Sequence, residues 1–104
     1  MLIEETEIAL VKIDITKQIN EIEAKESSMA VSVNLINGEP FVTFLCPRGS
    51  LPAKYKIHVK MTGQEVPFSG FYYVGTLILE GGLKVRHIFI EKNESTPVPS
   101  ADIS

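Results

Sequence analysis

Lys54, Lys56, His58 and Lys60 alternate with Tyr55, Ile57, Val59 and Met61. In an extended strand, alternate residues share a face and stand about 6.5–7 Å apart. That spacing is close to the phosphate repeat of an extended single strand, so such a row can follow a sugar–phosphate backbone. Aromatic residues flank the row in sequence: Phe41 and Phe44 before it, Phe68, Phe71, Tyr72 and Tyr73 after it. Base–aromatic stacking contributes about 1–3 kcal/mol per base, whatever the base. A cationic face edged by aromatics is thus a candidate surface for single-stranded nucleic acid. Arg48, Lys84 and Arg86 supply further cations, and Phe41, Tyr72 and Tyr73 are the candidate stackers. The same row also fits the solvated side of a half-buried strand, where lysine blunts edge pairing. At least one ring of Phe71-Tyr72-Tyr73 must turn to the core, because successive side chains point to opposite faces.

Catalysis requires a nucleophile, a base or a metal within reach of one another. Cys46 is the single cysteine; it follows an apolar strand and precedes Pro47, the setting of a small buried hydrophobe. One cysteine also excludes an internal disulfide framework and a multi-cysteine zinc site. His87 shares a face with Leu83 and Val85, which fits half-buried packing. The eleven glutamates are scattered, and Gly81-Gly82 lacks the following helix and lysine of a phosphate loop. The chain is expected not to be an enzyme, and to use no cofactor and no metal.

The elements that would position this face come from a chain of 104 residues, 44% hydrophobic and 22% charged, enough for one modest core. A single domain over residues 1–92 and a flexible polar tail over 93–104 are expected. No apolar run approaches the ~20 residues that span a bilayer, and the amino terminus is acidic where a signal peptide is basic. A soluble protein of the cytoplasm is expected (the host's cytoplasm if the chain is viral), with no membrane partner. Charge is unevenly distributed. Residues 1–47 hold three lysines against eight acids, net −5, whereas 48–92 hold seven basic residues against three acids, net +4. Such asymmetry hints at a charged partner, but opposite halves can equally neutralise each other within the fold or across a dimer.

Period-two alternation dominates. Residues 8–15 place positions 9, 11, 13 and 15 on one side; 29–36 place Met29, Val31, Val33 and Leu35 together. Asn37-Gly38 marks a tight hairpin turn into 41–46. Pro47-Arg-Gly-Ser-Leu-Pro52 ends that strand, and 54–61 follows as the cleanest alternation in the chain. Residues 71–80 read as a strand with a bulge or bend at Gly75, turned by Gly81-Gly82 into 83–91. There Lys84 and Arg86 share a face with Ile88 and Ile90. In residues 16–26, Ile15, Ile19 and Ile22 stand at helical spacing and Glu21-Lys25 is an i,i+4 pair, so the pattern predicts a short helix or a charged loop. Short strands, Gly/Pro turns and no tryptophan predict an all-β fold, a small five-stranded OB-like barrel in preference to an immunoglobulin sandwich.

The order of motifs in residues 37–92 resembles the single-stranded DNA-binding proteins of filamentous phages. Those motifs are Asn37-Gly-Glu-Pro-Phe41, Leu51-Pro-Ala-Lys-Tyr-Lys-Ile-His-Val59, Pro67-Phe-Ser-Gly-Phe-Tyr-Tyr-Val74 and Gly81-Gly-Leu-Lys-Val-Arg86. The resemblance implies a small OB-type barrel that dimerises and coats single-stranded DNA. It matches Phe41 to a stacking position, Lys56 to a basic residue of the central strand, and Arg86 with His87 to the arginines of the closing strand. The acidic first third departs from that family, whose first hairpin is basic.

Two functions are therefore expected in competition. One is sequence-independent binding of single-stranded DNA, of phage or mobile-element type and serving DNA replication, through Arg48, Lys54, Lys56, His58, Lys60, Lys84 and Arg86 with Phe41, Tyr72 and Tyr73. The other is a viral or mobile-element protein-binding module, an assembly factor or inhibitor, that uses the acidic amino-terminal third or the tail. A homodimer is expected in addition, with Leu77-Ile-Leu79 as an apolar segment it would bury.

Overall fold

The computed structural model describes residues 6–49, 51–67 and 69–93. Seven strands lie within them: β1 (Thr6–Lys12), β2 (Ile19–Lys25), β3 (Met29–Ile36), β4 (Glu39–Pro47), β5 (Pro52–Lys60), β6 (Phe71–Leu79) and β7 (Lys84–Glu91). A single 3-10 turn, Glu80–Gly82, joins the last two. The expected all-β class holds. The five-stranded barrel does not, because the strands form two open antiparallel sheets, ordered β1-β4-β3 and β2-β5-β7-β6. No ladder joins an edge of one sheet to an edge of the other among the described residues.

The expected helix over 16–26 is replaced by a turn and strand β2. The alternation there is Asn20, Ile22 and Ala24 inward against Ile19, Glu21 and Glu23 outward. A polar residue in the inward series hid the strand period. Asn20 tolerates burial because its amide is satisfied: the Asp14 N–H donates to Asn20 Oδ1 (2.7 Å), and Asn20 Nδ2 donates to the Asp14 carbonyl (2.9 Å). The Asp14 carboxylate accepts from the Thr16 N–H and hydroxyl, which fixes the turn and holds its pKa below the usual aspartate value.

Between the sheets, β4 contributes Val42, Phe44 and Cys46, β5 contributes Tyr55, Ile57 and Val59, and β7 contributes Ile88 and Ile90. Each large apolar side chain buried here stabilises the fold by about 1.5–3 kcal/mol. Phe44 and Tyr55 meet across the core at 5.8 Å between ring centres. The Tyr55 hydroxyl donates to the Lys25 carbonyl (2.8 Å) and accepts from the Ser28 N–H (3.2 Å), tying the β2–β3 turn to the core.

Two bulges shift the alternation. One between Ala30 and Ser32 leaves Val31 exposed and turns Met29 outward, so the expected common face of Met29, Val31, Val33 and Leu35 is broken. The other, between Tyr73 and Gly75, is the bend expected there. A Cβ on Gly75 would stand 2.9 Å from Val33 Cγ1, so glycine lets β6 close against β3 at this corner. Asn37 and Gly38, both at positive φ, make the expected hairpin turn between Ile36 and Glu39. Leu77 is buried and Leu79 packs on the core, leaving only Ile78 of that segment exposed. The expected tail lies outside the described residues from position 94 onward, as does Phe68.

Candidate functional site

The outer face of the four-stranded sheet carries the expected basic row. Lys54, Lys56, His58 and Lys60 project from β5, opposite the inward Tyr55, Ile57 and Val59. Register then sets their neighbours. On one side, β2 places Glu23 opposite Lys54, Glu21 opposite Lys56 and Ile19 opposite His58. On the other, β7 places Phe89 opposite His58 and His87 opposite Lys60. The edge strand β6 adds Tyr73 opposite Phe89, Phe71 opposite Glu91 and Thr76 opposite His87.

The result is a belt across the whole sheet, Ile19–His58–Phe89–Tyr73, with Phe71 leaning onto it. Tyr73 and Phe89 rings stand 5.4 Å apart, and the His58 and Phe71 rings meet edge-on at 4.6 Å. Tyr73 is 59% exposed and the most open ring of the group. Phe71 and Phe89 are half-buried. His58, by contrast, is only 8% exposed. Its Nε2 lies 2.8 Å from Glu91 Oε1, and since a carboxylate only accepts, this nitrogen donates. His58 therefore braces the platform beneath the phenylalanines and is not a free cation in the row.

His87 is braced in the same way. Its Nδ1 lies 2.9 Å from Thr76 Oγ1 and its Nε2 2.7 Å from Thr62 Oγ1, while the Tyr73 hydroxyl bonds Thr76. The half-buried position expected for His87 holds. Through Thr76 the network also fixes the hydroxyl end of Tyr73, so the ring is presented to solvent in a set orientation.

The other expected site residues fall elsewhere. Phe41 lies on the outer face of the three-stranded sheet, on the far side of the sandwich, opposite Lys12 and Asn34 in register. Tyr72 turns inward, packs against the core and carries Lys92 over its ring at 4.5 Å. Lys84 and Arg86 share the parity of Ile88 and Ile90, as expected, and that is the core-facing side. Lys84 pairs with Glu80 at 3.2 Å. Arg48 is exposed in the β4–β5 connection, close enough to Glu7 to lower its pKa, although the bonded Lys25 ammonium does most of that. Five of the ten expected residues, Lys54, Lys56, His58, Lys60 and Tyr73, thus share one face. Phe89 joins them unforeseen; the signal was its place in the alternation Val85, His87, Phe89, Glu91, outward when Ile88 and Ile90 are inward.

Cys46 is buried in the core, the structural role its setting predicts. The described residues contain no group of three or more His, Cys, Asp or Glu side chains placed to hold a metal ion. Nor do they contain a helix long and apolar enough to cross a membrane. A family profile described as a domain of unknown function (DUF7352) matches residues 5–98. No curated protein and no solved structure matches the chain.

Proposed function

Because the chain belongs to the DUF7352 family, a domain of unknown function, its activity has to be read from its surfaces, and we propose that it binds single-stranded nucleic acid on the outer face of the four-stranded sheet. The observation that carries this reading is the braced aromatic belt, with exposed Tyr73 against Phe89 and Phe71 against His58, set beside Lys54, Lys56 and Lys60. Flat rings on a rigid sheet stack unpaired bases without regard to sequence, and lysines along one strand hold the phosphates. The resemblance of residues 37–92 to the phage single-stranded DNA-binding proteins favours DNA. Two open sheets of seven strands differ from the barrel it implies, so the proposal rests on the face itself.

The test is anisotropy of a labelled oligothymidine at three salt concentrations, with duplex DNA as competitor. Tyr73→Ala is expected to weaken binding by about five- to 150-fold, the range set by one stacked base, while Phe41→Ala on the opposite face leaves it unchanged. Equal loss from both, or no binding at low salt, overturns the proposal.

A protein-binding reading finds support on the other outer face, where Ile8 (74%), Leu10 (52%), Val31 and Leu45 are exposed together. It finds little in the acidic third: Glu7 pairs with Lys25, Glu39 with Lys12 at 2.7 Å, and Glu21 and Glu23 face lysines in register.

A further inference from the structure

At the end of the sandwich where β5 runs out and β7 begins, a cleft of about 340 Å³ is lined by the apolar Ile15, Val59 and Met61 together with Lys17, Gln64 and Arg86. Thr16 and Gln18 complete it, and among the described residues no acidic side chain lines it. Arg86 is half-buried and has core parity. Among the described residues its side chain makes one hydrogen bond, from Nη1 to the neighbouring Val85 carbonyl (2.9 Å). Among the described residues neither Arg86 nor Lys17 is in an ion pair. A half-buried guanidinium left without a counter-charge is costly, and the anion that relieves it gains charge-assisted bonds. Gln64 is oriented to help: its Oε1 accepts the Met61 N–H (2.6 Å), which leaves the amide NH₂ as its free end. The cleft thus presents donors and positive charge together with apolar side chains.

We propose that this cleft binds a phosphate monoester carrying a flat apolar group, a nucleoside monophosphate moiety, free or at the end of a strand. The phosphate would sit at Arg86 and Lys17, and the base against Met61 and Ile15. The Gln18 and Gln64 amides would be left to its polar edge, which a purely aliphatic ligand would not satisfy. Only the choice of a nucleobase as the flat group rests on the preceding reading; the preference for an anion stands on the cleft alone.

Amide-resolved NMR titration of the full chain separates the possibilities, with thymidine monophosphate, thymidine, inorganic phosphate, and oligothymidine with and without a 5′-phosphate as probes. Thymidine monophosphate is expected to shift Lys17, Gln18, Gln64 and Arg86, and to bind about ten- to a hundredfold more weakly after Arg86→Gln, the loss of a charged hydrogen-bonding partner. Thymidine should lose a comparable factor. Lys17→Gln, at an exposed position, provides the same test if Arg86→Gln impairs folding. Cleft shifts with the 5′-phosphorylated strand alone assign a strand end, and shifts with the free nucleotide alone assign a small ligand; both support the site. No response at millimolar nucleotide, or shifts confined to Tyr73 and Phe89, overturns it. The unphosphorylated strand reports the outer face independently, so the cleft and the belt can fail separately.

Discussion

Replacing Glu21 and Glu23 together by glutamine removes the two carboxylates that oppose Lys56 and Lys54 across the β2–β5 ladder. Directly opposed residues hold their Cβ atoms about 4.5–5.5 Å apart, so each lysine lies within reach of its glutamate. An exposed pair of this kind is weak, and freeing two such lysines is worth about two- to thirtyfold in affinity for a polyanion. Salt dependence gives the sharper readout. Each additional phosphate neutralised on a single strand steepens the log–log slope by about 0.7, so two freed lysines should steepen it by about 1.4. Oligothymidine anisotropy at three salt concentrations measures both quantities, and thermal unfolding checks that the double variant still folds. Tighter binding with a steeper slope places the strand along β5. An unchanged slope, with Lys54→Gln and Lys56→Gln equally silent, refutes any role for the row and leaves the lysines as solvated side chains.

Gly75→Ala should cost about 1–3 kcal/mol in urea unfolding, because the added methyl meets Val33 Cγ1 at 2.9 Å. Combined with Val33→Ala it should cost less than the two changes summed; strict additivity would mean that the sheets do not meet at this corner. Burial raises the Tyr55 pKa above its ordinary value, so the folded state binds the phenolic proton more tightly than the unfolded chain. Stability should therefore fall as pH rises above about 10. Tyr55→Phe should remove that share of the alkaline loss and cost about 1–3 kcal/mol at neutral pH, since the Ser28 N–H and Lys25 carbonyl lose their partner. Identical alkaline slopes for the two proteins would count against the buried phenol.

The strands of the second half were legible because each is an apolar-rich run bounded by Gly or Pro, and the cation row could be read directly from the clean alternation of β5. Strand β2 was not, since Asn20 occupies an inward position that only its bonds to the Asp14 backbone make tolerable. Parity within a strand also says nothing about which strands lie side by side. Phe41 and Lys56 are each outward on their own strands, yet β4 and β5 belong to different sheets, so the two point away from each other across the sandwich. Conversely, Phe89 and Tyr73 become one platform only through the β6–β7 register. A bulge displaces such pairing by one residue, as Val31 demonstrates, and local sequence marked the bulge at Gly75 but not the one at Val31.

The same register decides which force would hold a strand on the proposed face. Lys54 and Lys56 face Glu23 and Glu21 there, Lys60 faces His87, and the most nearly buried member of the row, His58, is spent on Glu91. Part of the positive charge of residues 48–92 is therefore faced by the acidic first third, across β2 and β5, and the row is interrupted at His58. A polyanion gains little counterion release from a balanced surface, so affinity on this face has to come mainly from the rings. Stacking demands unpaired bases, which a duplex hides. The geometry thus ties three observables together: a shallow salt slope in the unmodified protein, strong preference for single strands over duplex, and dominance of Tyr73 over any one lysine. A steep slope with duplex bound as well as single strands would point to a basic surface elsewhere, and the belt would then be a packing face.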